Sequence, residues 1–136
     1  MKDLHHNMLV SRVISPYDMA SDTPAVGQII DNLGYQALEY VIATGSLADA
    51  GATFTVLLEE GDVANMSDAA AVDDANLIGT EALASFTQAS DNLTFKLGYA
   101  GTKRYTRLTL TPSGNGSAAL VSCVAIQMKH SPNPVA

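Results

Sequence analysis

The sequence predicts a mainly β protein: an antiparallel β-sandwich of jelly-roll type with an extended N-terminal arm and C-terminal tail. Three observations carry that prediction. Several runs of strand length alternate apolar and polar residues, turn-forming Gly, Asn, Asp and Pro separate them, and no stretch has the three-and-four spacing of a long amphipathic helix. The 136 residues are 47% hydrophobic and 15% charged, which suits one domain around one core and is charge-poor for a protein that stays alone.

The elements follow in order. Residues 1–26 read as an arm, with an early strand possible over the apolar stretch from Met8 to Ile14 before Ser15, Pro16, Asp18 and Pro24. Residues 27–129 hold the sandwich. Within it, 37–44 sets Leu38, Tyr40 and Ile42 on one side, and 53–60 sets Phe54, Val56 and Leu58 against Thr53, Thr55 and Glu59. A short connection between these two strands predicts that they pair.

The Asp- and Ala-rich segment 61–75 is expected to be a surface loop with at most one helical turn, and Leu77, Ile78, Leu83 and Phe86 to form one strand or a strand broken at Gly79. Leu93, Phe95, Leu97 and Tyr99 alternate inward against Thr94 and Lys96. Ala100, Gly101 and Thr102 have the length of a hairpin turn leading into a strand over 103–111. In that strand the apolar parity changes between Tyr105 and Leu108, which calls for two partly covered faces or a bulge. The near-continuous apolar run 118–128 suits a central strand buried on both sides, and the two prolines of the tail 130–136, Pro132 and Pro134, exclude helix and ladder pairing there.

Charge narrows the function. The net charge is -7, the wrong sign for binding nucleic acid through its phosphates. All acidic residues fall between Asp3 and Asp91, whereas Lys96, Lys103, Arg104, Arg107 and Lys129 meet no acid in the last third of the sequence. The single cysteine, Cys123, excludes an internal disulfide. Neither a signal-peptide pattern nor an apolar run long enough to span a bilayer is seen, so the expectation is synthesis and use in the cytosol, without a membrane.

No residue set converges on catalysis, and no cofactor is implied. His5 and His6 are adjacent, so in an extended chain they point opposite ways and cannot grip one ion without a third ligand. Cys123 lies in the most apolar run, where a thiolate is disfavoured, with no histidine placed as its base. Asp62, Asp68, Asp73 and Asp74 lack the spacing of a calcium loop and read as a solvated loop, with weak cation binding left open. Glu59 and Glu60 are adjacent on a strand and face apart, and Gly45, Gly51 and Gly61 are isolated turn glycines without a phosphate-loop lysine. The expectation is a protein that is not an enzyme.

Several tracts carry a family resemblance: Ile30 to Tyr35, Val56 to Glu60 before the acidic loop, Leu77 to Gly79, Phe95 to Tyr99, Lys103 to Gly114, and Val121 to Ile126 before a His- and Pro-containing tail. Together, over residues 27–134, they resemble the small proteins encoded among the head genes of tailed bacteriophages and prophages, of which some are capsid cement or decoration proteins. That resemblance implies a virion protein with a jelly-roll-like sandwich, made in the host cytoplasm and bound to the capsid exterior, where it bridges subunits of the major capsid protein. It brings no catalytic residues.

A homo-oligomer is expected, with assembly contacts from the N-terminal residues Met1 to Asp22, from the basic cluster Lys103, Arg104 and Arg107, and from the tail His130 to Ala136 with His130, Pro132 and Pro134. The alternatives are a tail or head-to-tail connector component and, in another class, a carbohydrate-binding sandwich. With no Trp, five Tyr and three Phe, few aromatic platforms are available for a sugar.

Overall fold

A computed structural model describes residues 3–129. The strands are β1 (Met8–Asp18), β2 (Ala25–Val26), β3 (Ile30–Asp31), β4 (Ala37–Leu47), β5 (Thr53–Gly61), β6 (Ala70–Ala71), β7 (Leu77–Ile78), β8 (Phe86–Thr87), β9 (Thr94–Tyr99), β10 (Tyr105–Ser113) and β11 (Ala119–Met128); a single-turn helix, α1 (Glu81–Ala84), precedes β8. They form two antiparallel sheets. The first runs β1-β11-β4-β9-β7, and the second β2-β10-β5-β6, with β3 also on β10 and β8 also on β5.

Inward-facing residues of both sheets make the core expected of a β-sandwich. Tyr40, Ile42 and Leu97 from the first sheet meet Phe54, Val56, Leu58, Leu108 and Leu110 from the second, all buried. Phe86 stacks between Phe54 and Phe95, with ring centroids 4.9 and 5.1 Å away. The alternation read for 37–44 and 53–60 places the same side chains inside.

Strand pairing departs from the expected hairpins. β4 and β5 are sequential but lie in different sheets, as do β9 and β10. At the β9–β10 corner the Tyr99 hydroxyl donates to Glu60 Oε2 at 2.5 Å and accepts the Lys103 N–H at 2.9 Å. One phenol thus fastens the crossing chain to the opposite sheet. Gly101 packs against the Tyr99 ring so closely that a Cβ there would overlap it; glycine is required by this approach rather than by a two-residue turn.

The parity change in β10 resolves without a bulge, because its register against β5 is continuous from Tyr105 opposite Gly61 to Ser113 opposite Thr53. Tyr105 faces out, and Thr106 is the buried residue, hydrogen-bonded to Tyr40. Leu93, expected inward, precedes β9 and is half-exposed; its backbone N–H donates to Thr44 Oγ1.

The N-terminal segment is no arm. Residues 8–18 form the edge strand of the first sheet, and Val13, Ile14, Met19 and Ala25 enter the core. Register shifts between Arg12 and Ile14 and between Ile14 and Tyr17 interrupt the two-residue period that would have marked this strand in the sequence. Beyond it, Asp22 accepts N–H bonds from Gly114 and Asn115, and Asp18 accepts one from Ala119. The tail 130–136 lies outside the described residues.

The segment from 70 to 87 contains three two-residue strands and α1 in place of one strand. Thr80 caps α1 by accepting the Leu83 N–H. Glu81 and Ser85 then accept the Leu58 and Val56 N–H groups of β5 at 2.6 and 3.0 Å. Side chains here complete a sheet edge that lacks a long partner strand.

Candidate binding face

β11 is central in its sheet, but within this chain it is buried on one side only. Ala119, Val121, Cys123, Ala125 and Gln127 point into the core; Leu120, Val124, Ile126 and Met128 point out and remain partly exposed. The antiparallel register extends these outward residues into rows across the sheet. Met128 stands beside Met8 and Ala37, Ile126 beside Val10 and Glu39, and Val124 beside Arg12 and Val41. The rows continue onto β9, where Glu39 meets Gly98 and Val41 meets Lys96, and Gly98 meets Ile78 of β7.

The outcome is a mostly apolar face crossed by few charges. Val10 is 52% and Ile78 is 61% exposed, with Val41, Val124 and Ile126 half-buried between them. Gly98 has a local role: a Cβ there would overlap Ile78 and the Glu39 carboxylate, which lie over the backbone at this point.

The outer face of the second sheet is the opposite in character. Its cross-strand pairs are Ser113 with Thr53, Thr111 with Thr55, Thr109 with Leu57 and Arg107 with Glu59. Hydroxyls and an ion pair suit contact with water. The sandwich therefore has one polar and one apolar outer face, and a contiguous exposed apolar surface marks a site of interaction.

At one end of the apolar face lies an open cleft of roughly 720 Å³ between the 32–37 and 100–104 segments, with Ile78, Ile126 and Met128 on its apolar wall. Lys103 and Arg104 stand on its other rim. Each cation of the basic cluster has an acidic partner within the chain: Lys103 Nζ with Asp62 at 2.5 Å, Arg104 with both oxygens of Asp31 at 2.8 and 2.9 Å, and Arg107 with Glu59 at 2.9 Å. For this cluster the charge separation along the sequence disappears because β10 lies antiparallel to β5 and β3, and the acids come from those two strands and from the loop after β5. His130, Pro132 and Pro134 lie outside the described residues.

The remaining candidates have local roles. Cys123 is 1% exposed, and burial pushes its thiol up to about 12. His6 Nδ1 sits 2.6 Å from Asp3 Oδ2, and the His5 ring meets that of His6 edge-on. In the acidic loop, Asp68 accepts the N–H groups of Asp62 and Val63, and the first of these bonds holds its carboxyl below the usual range. Asp73 caps the turn at Asp74–Asn76. Among the described residues no three His, Cys, Asp or Glu side chains are grouped to hold a metal ion. No helix among them is long and apolar enough to cross a membrane.

No protein-family model and no curated protein matches the chain by sequence. Solved structures share its fold at low identity. The SPBc2 prophage-derived protein YomS superposes with a TM-score of 0.54 at 12% identity, over 90% of this chain and 94% of its own. A chain of the infectious bursal disease virus Gx strain structure gives 0.50 at 13% identity over 93% of this chain, which spans 33% of that longer one. The CBM22-1 xylan-binding domain of Paenibacillus barcinonensis Xyn10C gives 0.47 at 10% identity, over 96% of this chain and 91% of its own.

Proposed function

We propose that this chain is a non-enzymatic structural protein of a bacteriophage particle, a decoration protein on the capsid exterior that bridges subunits of the major capsid protein. One observation carries this reading: the sandwich presents an apolar outer face on its first sheet and a hydroxyl-rich outer face on its second. A building block needs one surface that loses water on assembly and one that keeps it. The head-gene resemblance in the sequence and a fold shared with a prophage-derived protein support the phage setting.

Lys103 and Arg104 fit this role as rim contacts, because their ion pairs remain about half exposed beside the cleft and can exchange partners with acids of a neighbour. Arg107 is more deeply set against Glu59 and serves the sheet. Mixing the purified chain with undecorated capsids and, separately, with isolated tails tests the assignment by co-sedimentation. Capsid loading at a fixed stoichiometry is expected. Sedimentation with tails alone would replace this assignment with a tail or connector role.

A further inference from the structure

We infer that the apolar outer face of the first sheet is a self-association surface, covered by a second copy of this chain about a two-fold axis. The inference rests on the building-block reading and names the occupant of that face. The choice of a second copy comes from charge. Among the described residues the face carries two acids, Glu39 and, at its far end beside Leu120, Asp18, and two cations, Lys96 and Arg12. Neither Glu39 nor Lys96 has an ion-pair partner among the described residues, whereas Arg12 donates to Ser15 Oγ at 2.8 Å.

Glu39 and Lys96 sit on adjacent strands, two residues apart in register, since Lys96 stands beside Val41. A two-fold axis in the plane of contact, crossing the line between them at its midpoint and at right angles, sets each carboxylate over the other copy's ammonium. The contact is then self-complementary, with Val41, Val124 and Ile126 close by to exclude water. Overall charge favours this face as well: the chain carries -7, but this surface balances two cations against two acids. Two copies can meet here without pressing their acidic loops together.

Size sets the expected strength. Four strands at about 4.8 Å spacing, over the length of β11, give a flat footprint of roughly 500 Å², below the ~800 Å² per partner of a standard interface. The dimer should therefore be weak, dependent on concentration, and firmer where a lattice holds copies side by side.

Sedimentation equilibrium of the full chain from about 10 μM to 1 mM tests this, since that range brackets weak association. The parent should shift from monomer to dimer. Glu39→Lys or Lys96→Glu alone should weaken dimerisation by about tenfold, as two ion pairs become two like-charge contacts. The double exchange should restore it, a rescue that a folding defect cannot produce. A parent that stays monomeric throughout, or single variants that dimerise like the parent, would overturn the inference. Capsid co-sedimentation is read separately: monomers that load normally would overturn the dimer and leave the decoration role, and dimers that fail to load would do the reverse.

Discussion

The Tyr40 hydroxyl and Thr106 Oγ1 lie 2.7 Å apart in the fully buried interior, joining β4 of one sheet to β10 of the other. Burial raises the phenol's pKa well above its ordinary value, so this is a bond between neutral groups. Replacing Thr106 with Val removes it and strands the phenol away from water, at an expected loss of about 1–3 kcal/mol. Tyr40→Phe should cost less, because Thr106 Oγ1 still accepts from Asn32 Nδ2 at 3.3 Å. Urea titration of both single variants and the double variant should show the double costing less than the sum.

Deleting Met1 to Asp22 is expected to unfold the sandwich and not merely to weaken assembly. The deletion takes away β1 with buried Val13, Ile14 and Met19, and the Asp18 and Asp22 carboxylates that tie the β10–β11 turn. At about 1.5–3 kcal/mol per large buried side chain, the loss approaches the whole stability of a domain this size. A deletion ending at Asn7 should leave the unfolding midpoint unchanged; circular dichroism and urea titration separate the two.

These N-terminal residues show where the fold was legible and where it was not. β4, β5, β9, β10 and β11 declared themselves through alternation and β-branched content, and the structure places them within a few residues of the expected bounds. β1 was obscured because its two register shifts put Val13 and Ile14, consecutive residues, both in the core. Pairing was less legible than strand position. Whether β9 turns back on itself or crosses to the other sheet depends on Tyr99 reaching Glu60, a contact 39 positions apart. Half of the apolar face was visible in the run 118–128, but its exposure was not, since apolar residues alone do not reveal which side the second sheet covers. The basic cluster was found as a cluster; its acidic partners came from β3, β5 and the loop after β5.

Stability should decline as the solution becomes alkaline, beginning with Cys123. Burial holds the thiol up to about 12 in the fold, against an ordinary value of 9.0. A group whose folded pKa is raised contributes stability below its unfolded pKa and loses it as pH rises toward the folded value. Between pH 9 and 10 the unfolding free energy should fall by up to about 1.4 kcal/mol per pH unit. Above that, Tyr40 and Tyr99, also raised by burial, add to the slope. Cys123→Ala should flatten the first part of the decline, and a thiol reagent should label the native parent slowly and the unfolded chain fast.

At acid pH the loss has a different source. Asp31, beside Arg104, and Asp49 and Asp68, which accept backbone N–H groups, are all held below the usual carboxyl range. A depressed folded pKa gives stability above the unfolded value and loses it as pH falls through the folded one. Melting temperature should therefore drop below about pH 4. Asp68→Asn should be less stable than the parent at pH 7 and show a shallower drop on acidification; an unchanged acid profile would remove Asp68 from this account.

Assembly should divide into a part that salt weakens and a part that it does not. Val124 and Ile126 face outward on β11 and are half-buried, so replacing both with Gln introduces no charge and disturbs no core contact. Their denaturation midpoint should stay near that of the parent, within about 0.5 kcal/mol for each substitution. Self-association should weaken at least tenfold, because a buried Val or Ile contributes about 1.5–3 kcal/mol and the two-fold counts each residue twice. Added salt should not restore it. Lys103→Ala with Arg104→Ala should behave in the opposite way, leaving self-association intact while reducing capsid loading most strongly at low salt, where rim charges act over the longest range. Equal salt sensitivity in both variants would show that the face and the rim do not contribute separately.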